Sequence, residues 1–168
     1  TLKETFNYTA QDSHHSSDNS HIDVNVTLRT GSGDEHAAQD QLIFGGAGND
    51  TLHGGTGNDI LSGGAGDDIL YGGGGDDILY GGAGHNQLYG GDGNDTLYAG
   101  SNGDHLYGGK GNDHLYGGKD NDFLDGGANT FATDHGGNHL NGGEGNDLLV
   151  FHQGDTIDGG GGLDFLLT

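Results

Sequence analysis

Cysteine is absent from this chain, so neither disulfides nor thiolate metal sites contribute to its structure. Bases are nearly absent as well. Lys3, Arg29, Lys110 and Lys119 stand against 26 acidic residues, giving a formal net charge of −22. DNA, RNA and anionic membrane surfaces are thereby excluded as partners, because their recognition needs a basic footprint. Divalent cations are the natural counter-partners of such a surface. No apolar run approaches the ~20 residues of a membrane-spanning helix, so membrane insertion is not expected. No charged, apolar-cored signal peptide begins at Thr1, and the chain opens in mid-strand character, as an excised fragment would. Only 29% of the 168 residues are hydrophobic, whereas forty are glycine. Such a balance normally leaves a chain disordered, since too little apolar surface offsets its conformational entropy.

Glycine divides the chain. Residues 1–44 hold only Gly31 and Gly33, and every other glycine lies between Gly45 and Gly162. In the first part Phe6–Ala10 alternates apolar and polar residues, and so does Ile22–Leu28, as half-buried strands do. The polar stretch from Gln11 to His21 between them reads as a loop. Two strands cannot bury a core by themselves. Residues 1–30 are similar in pattern to the last hairpin of an immunoglobulin- or cadherin-like adhesin repeat. Residues 31–44 then form a polar linker ending in the apolar lead-in strand Leu42-Ile43-Phe44.

From Gly45 the chain repeats with a period of nine. Gly45-Gly46-Ala47-Gly48-Asn49-Asp50-Thr51-Leu52-His53 recurs as Gly54-Gly55-Thr56-Gly57-Asn58-Asp59-Ile60-Leu61-Ser62, and further units begin at Gly63, Gly72, Gly81, Gly90, Ala99, Gly108 and Gly117. The unit from Gly126 is longer, with its interruption over about residues 126–137, and regains the frame at Asn138. A regular unit starts at Gly142, the stretch from Phe151 to Asp158 is one residue short, and the unit from Gly159 to Leu167 is regular.

Position six is acidic in most units: Asp50, Asp59, Asp68, Asp77, Asp95, Asp104, Asp113, Asp122, Asp147, Asp155 and Asp164, with Asn86 and Asn138 as departures. Position eight is leucine in every unit but one, where Ile157 stands. One large apolar residue per nine gives a thin core between two facing sheets. A hard cation such as calcium takes six to eight oxygens. One carboxylate per unit cannot supply them, so backbone carbonyls must. Glycine at positions one, two and four is expected to permit positive φ and turn those carbonyls inward.

This nonapeptide, G-G-x-G-x-D-x-U-x, resembles the calcium-binding repeat of RTX proteins over residues 45–167. The resemblance implies an all-β fold: a right-handed parallel β-roll (β-helix) with two units per turn, here preceded by a short β-hairpin-like segment. It implies that loops eighteen residues apart stack and hold Ca2+ between them. The implied ligand set is Asp50, Asp59, Asp68, Asp77, Asn86, Asp95, Asp104, Asp113, Asp122, Asp147 and Asp164, with Asn86, and Asn138 in its own unit, able to offer an amide oxygen in place of the carboxylate. Backbone groups would come from Gly45, Gly46, Gly48, Gly54, Gly55, Gly57, Gly63, Gly64, Gly66, Gly72, Gly73 and Gly75, and from Gly81, Gly82, Gly84, Gly90, Gly91, Gly93, Gly108, Gly109 and Gly111. About seven ions or more are expected, and seven would move the net charge from −22 to about −8.

Other readings of the same residues are weaker. A phosphate cradle needs one glycine loop between a strand and a helix, not a repeating acidic array. The histidines, among them His14, His15, His21, His105 and His114, show no H-E-x-x-H spacing and read as scattered surface residues. Tyr71, Tyr80, Tyr89, Tyr98, Tyr107 and Tyr116 occupy position nine and should form two ladders, Tyr71/Tyr89/Tyr107 and Tyr80/Tyr98/Tyr116. These ladders would stiffen the sheets by stacking or offer an aromatic platform for glycans or a neighbouring domain. Ice binding is disfavoured, because position three runs Ala47, Thr56, Ala65, Gly74, Ala83, Asp92, Ser101, Lys110, Lys119 with no regular pattern. No nucleophile–base or general-acid constellation stands outside the repeat frame, so no enzymatic activity is expected.

The expectation is a monomeric calcium-binding structural module of a secreted RTX adhesin, which folds on export by type I secretion into high extracellular calcium. Its partners are calcium ions, neighbouring domains of the same chain and, through other domains, host or biofilm surface ligands. The alternative is the repeat array of a secreted toxin, protease or lipase.

Overall fold

The computed structural model describes residues 9–11, 21–28, 40–127 and 137–168, with side chains from residue 40 onward. All regular structure in these segments is β. The strands are β1 (Thr9–Gln11), β2 (His21–Leu28), β3 (Asp40–Ala47), β4 (Thr51–Thr56), β5 (Ile60–Ala65), β6 (Ile69–Gly74), β7 (Ile78–Ala83) and β8 (Gln87–Asp92). They continue as β9 (Thr96–Ser101), β10 (His105–Lys110), β11 (His114–Lys119), β12 (Phe123–Asp125), β13 (His139–Glu144), β14 (Leu148–Val150), β15 (Thr156–Gly161) and β16 (Phe165–Leu167).

Successive strands fall in alternate sheets. One sheet runs β1-β2-β3-β5-β7-β9-β11-β13-β15, and the facing sheet runs β4 through every even-numbered strand to β16. Within each, repeat strands pair in parallel with Leu52 beside Leu70 and Leu79 beside Leu97, a separation of two units. The protein is therefore a parallel β-solenoid of about six turns, each turn made of two nonapeptides, as the β-roll expectation requires. Only β1 and β2 depart from it. They form an antiparallel pair, and β2 also pairs antiparallel with β3, so this hairpin extends the first sheet at its leading edge. Phe6 to Tyr8 lie outside the described residues.

The solenoid begins one strand before the first glycine pair. Ile43 in β3 sits beside Leu61 and is buried with it, so Leu42-Ile43-Phe44 is the opening rung as well as a lead-in. Each strand presents position eight and the following position one to the interior, because side chains alternate along a strand. Leucines from Leu52 to Leu149 fill the first slot, with Ala99 the one alanine in the second. Ile157 is only partly buried, and Leu166 is 62% exposed in β16, the last described strand of its sheet.

The register survives both irregularities. Across the long unit Leu115 pairs with Leu140, and across the short one Leu140 pairs with Ile157. Each departure from the nine-residue frame therefore falls between paired strands, which keep their inward leucines. Asn129 to Thr133 of the long unit lie outside the described residues.

Position nine points outward. His53, Tyr71, Tyr89 and Tyr107 stack face to face on one sheet, with ring centroids 4.8–5.0 Å apart. Tyr80, Tyr98 and Tyr116 do so on the other at 4.9–5.0 Å. Both ladders form as expected. Each ring covers the face of the next, so edges and hydroxyls are what the rows offer to solvent. This geometry favours stiffening along the axis over a sugar platform, which needs open ring faces.

The contrast between interior and terminal leucines yields a first prediction. Leu97→Ala should cost about 2–5 kcal/mol of stability in denaturant unfolding at saturating calcium, and Leu166→Ala under about 1 kcal/mol.

Candidate metal centre

The loops between strands place position six inward at every rung, and stacking arranges these residues in two columns. One column is Asp50, Asp68, Asn86, Asp104, Asp122, Asp147 and Asp164; the other is Asp59, Asp77, Asp95, Asp113, Asn138 and Asp155. Those from Asp50 to Asp147 are buried. Each carboxylate uses one oxygen to tie its rung to the rung before. The Asp59 N–H donates to Asp77 Oδ1 at 2.7 Å, Asp77 N–H to Asp95 Oδ1 at 2.9 Å, and Asp104 N–H to Asp122 Oδ1 at 2.8 Å.

The other oxygen is orphaned. Oδ2 of Asp59, Asp77, Asp95, Asp104, Asp113, Asp122 and Asp147 is shielded from water and accepts no hydrogen bond. An ionised oxygen left so would be strongly unfavourable without a compensating cation. Position-one glycines show where that cation fits. A Cβ added to Gly90 would collide with Asp95 Oδ2 and come within 2.6 Å of the Gly108 carbonyl oxygen of the next rung. Gly72 stands in the same relation to Asp77 and to the Gly90 carbonyl at 2.7 Å, and Gly45, Gly54, Gly63 and Gly108 repeat the arrangement. Each of these rungs thus keeps clear a cradle bordered by a carboxylate oxygen and a backbone carbonyl. Hard oxygen donors of this kind suit calcium, which would supply the positive charge the buried column lacks.

Glycine does two different jobs here, and the expectation of positive φ at position one is corrected. Gly46 and Gly48, at positions two and four, have φ of 105° and 109°, and their counterparts Gly55, Gly57, Gly64, Gly66, Gly73, Gly75, Gly82, Gly84, Gly91, Gly93, Gly109 and Gly111 are likewise positive. Where glycine is missing at position four, Asn102 (φ 77°) and Asp120 (φ 69°) take its place, the residue types that best tolerate this region. Position one, by contrast, has no positive φ and needs glycine for room.

Asn86 and Asn138 stand in the columns, but their amide oxygens accept backbone N–H groups of the preceding rung, from Asp68 at 3.0 Å and Asp113 at 2.9 Å. Their nitrogens, not their oxygens, face the cradle beside Gly81 and Gly126.

Position five was not foreseen as structural. Asn49 Oδ1 accepts the Asp67 N–H at 2.9 Å, Asn58 that of Asp76 at 3.0 Å, and Asp76 that of Asn94 at 2.8 Å. These bonds run opposite in direction to those of position six, so the loops that carry them are stitched both ways. The signal was present in the Asn or Asp that most units carry at that position. At position three, Lys110 Nζ lies 2.7 Å from Asp92 Oδ1 one rung away, an exposed pair of small energetic weight.

Burial pushes the carboxyls of Asp77, Asp95, Asp104 and Asp122 up to about 7 and that of Asp113 up to about 6, with neighbouring carboxylates adding to the shift and the accepted N–H opposing it. Asp59 and Asp147 are raised for the same first reason. The metal-free fold therefore holds protons that the unfolded chain, near 3.9, has already released. The contribution of these aspartates to the stability of that fold is full below the unfolded value near 3.9 and is lost as pH rises through about 6 to 7. A bound cation must displace those protons.

Among the described residues no three His, Cys, Asp or Glu side chains cluster into a metal site, so backbone oxygens must complete any coordination. Likewise no helix in the described residues is long and apolar enough to cross a membrane. A solenoid of nonapeptides with a buried carboxylate and an open cradle at nearly every rung defines a calcium-binding repeat module. Comparison with protein families agrees. The RTX calcium-binding nonapeptide repeat matches in four overlapping copies, at residues 44–79, 71–105, 98–130 and 125–155. The chain belongs to that family. No curated protein and no solved structure gave a match.

Two predictions come from the cradle. Gly90→Ala should weaken calcium-induced folding, with about 1–3 kcal/mol lost to overpacking. Gly74→Ala, at position three with nothing within 4 Å of the new Cβ, should leave the calcium midpoint unchanged. With calcium chelated, lowering the pH from about 8 to about 5 should raise the β signal in circular dichroism, because Asp77, Asp95, Asp104 and Asp122 hold their protons to higher pH in the folded loops than in the unfolded chain.

Proposed function

We propose that this chain is the calcium-hardened structural region of a secreted adhesin, which stays unfolded until it meets extracellular calcium. The observation that carries the reading is the repeated orphaned oxygen of the buried aspartates, each beside a cradle that only glycine leaves open. Without cations the columns repel, glycine retains its backbone entropy, and one leucine per unit is too little to hold two sheets together. In a low-calcium compartment the array is extended, a state suited to passage through a narrow export channel such as that of type I secretion. Outside, calcium near millimolar matches the ~10⁻⁴–10⁻³ M dissociation constants of extracellular modules.

The ligands are the position-six aspartates from Asp50 to Asp164 together with loop carbonyls, and about seven or more ions bind. On this reading residues 1–30 resemble the end of an upstream adhesin repeat and residues 31–44 lead into the repeats of 45–167, with β2 paired to β3 so that the hairpin also caps the first sheet of the roll. The array itself performs no catalysis. Attachment to the array of a toxin, protease or lipase is the second reading, and the alternating strands of residues 1–30 favour the adhesin.

Circular dichroism during a calcium titration tests the folding switch. A sigmoidal coil-to-β transition is expected, with magnesium at equal concentration ineffective, because it demands a tight octahedron and keeps its waters. A chelated chain that retains its β signal and compact radius would refute the proposal.

A further inference from the structure

Every unit from Gly45 to Asp125 carries a carboxylate at position six except the one from Gly81 to Tyr89, which carries no acidic residue at all. Its loop reads His85-Asn86-Gln87. The structure shows what those three residues do instead. Asn86 Oδ1 accepts the Asp68 N–H, and this fixes the amide, since a flipped amide would set its NH₂ against another donor. Asn86 Nδ2 therefore points into the cradle, 2.9 Å from where a Cβ of Gly81 would stand, and donates to the Gly84 carbonyl at 3.3 Å. His85 Nδ1 lies 2.9 Å from the Gly103 carbonyl oxygen, which can only accept, so the ring donates there. Asn138 repeats the pattern in the other column: its Oδ1 accepts from Asp113 N–H, and its Nδ2 donates to the Gly127 carbonyl at 3.1 Å.

We infer that the Asn86 and Asn138 rungs hold no cation, and that each fills its cradle with its own amide N–H, so that both columns of sites are broken once. The inference rests on the calcium reading of the aspartate columns. Hydrogens aimed into a cradle repel a cation, and the carbonyls they engage are already satisfied. At the Asn86 rung the break extends further along the column. Ala99, on the next rung, is fully buried and brings a Cβ to the position that other units keep clear beside their aspartate.

The two breaks are staggered. Opposite Asn86 the second column continues through Asp77 and Asp95, and opposite Asn138 the first continues through Asp122 and Asp147. No turn is left without a carboxylate, yet each column is divided into blocks. Calcium then loads the solenoid as blocks joined by metal-independent rungs, not as one uninterrupted string.

Native mass spectrometry of the calcium-loaded full chain counts the ions. Asn86→Asp and Asn138→Asp should each add one ion, and Asn86→Ala should leave the count unchanged. Loss of an ion in Asn86→Ala would make Asn86 a ligand and overturn the inference. Equally, an unchanged count in both aspartate variants, with their circular dichroism intact, would overturn it. If Asn86→Asp does not fold, Asn138→Asp alone decides by the same criterion. A wild-type chain that binds no calcium would instead remove the reading beneath it, so the two failures are distinguishable.

Discussion

A buried carboxylate with one oxygen used and one oxygen unused is the constraint on which this solenoid depends. The used oxygen sets the spacing between rungs by accepting a backbone N–H, and the unused one creates an unpaid charge inside the loop. Almost every other choice in the repeat answers to that pair. Glycine at position one leaves room for the carboxylate and its counter-ion. Positions two and four take up the backbone conformations that bring the loop around it. Position five stitches the same loop in the other direction. The leucine column then needs only to keep two sheets in register, and a thin core suffices for that.

The architecture was legible from the sequence because a nine-residue period leaves few arrangements that bury leucine at position eight in every rung. The identity of the core followed from the repeat itself, while two units per turn, and with it the pairing of both tyrosine ladders, was what the resemblance to RTX repeats implied. Less legible was the reason for each glycine. Sequence shows Gly45 and Gly46 as a pair, but one is needed for volume and the other for φ, and only stacked rungs distinguish them. Asn86 is the clearest case of a residue whose side-chain orientation the sequence does not reveal. Composition offers an amide oxygen to a cation, whereas the hydrogen-bond ladder claims that oxygen and turns the nitrogen inward. The lead-in strand was hidden for a different reason: Leu42-Ile43-Phe44 lacks the glycines that mark a unit, yet its strand register places it on the first rung.

Irregular units show how the repeat tolerates change. Strand positions are fixed on both sides by neighbours one rung away, so an insertion or deletion survives only where the chain turns. Leucine pairing accordingly continues across both the long unit and the short one. Tolerance is thus confined to the loops, which are also where ions would sit. Any lengthening of a turn therefore trades against a binding position, and the long unit is also the one whose column residue is Asn138.

The chain is wound across its own long axis, with hydrogen bonds between rungs running along that axis. Tension applied between its two ends therefore pulls those bonds in line, one rung at a time, instead of shearing a whole strand together. Ions lodged between rungs would act as cross-ties against such peeling. A solenoid built this way is a graded mechanical element: stiff under compression because its rings and rungs are already in contact, and under load able to pay out slack turn by turn, each turn releasing eighteen residues of chain.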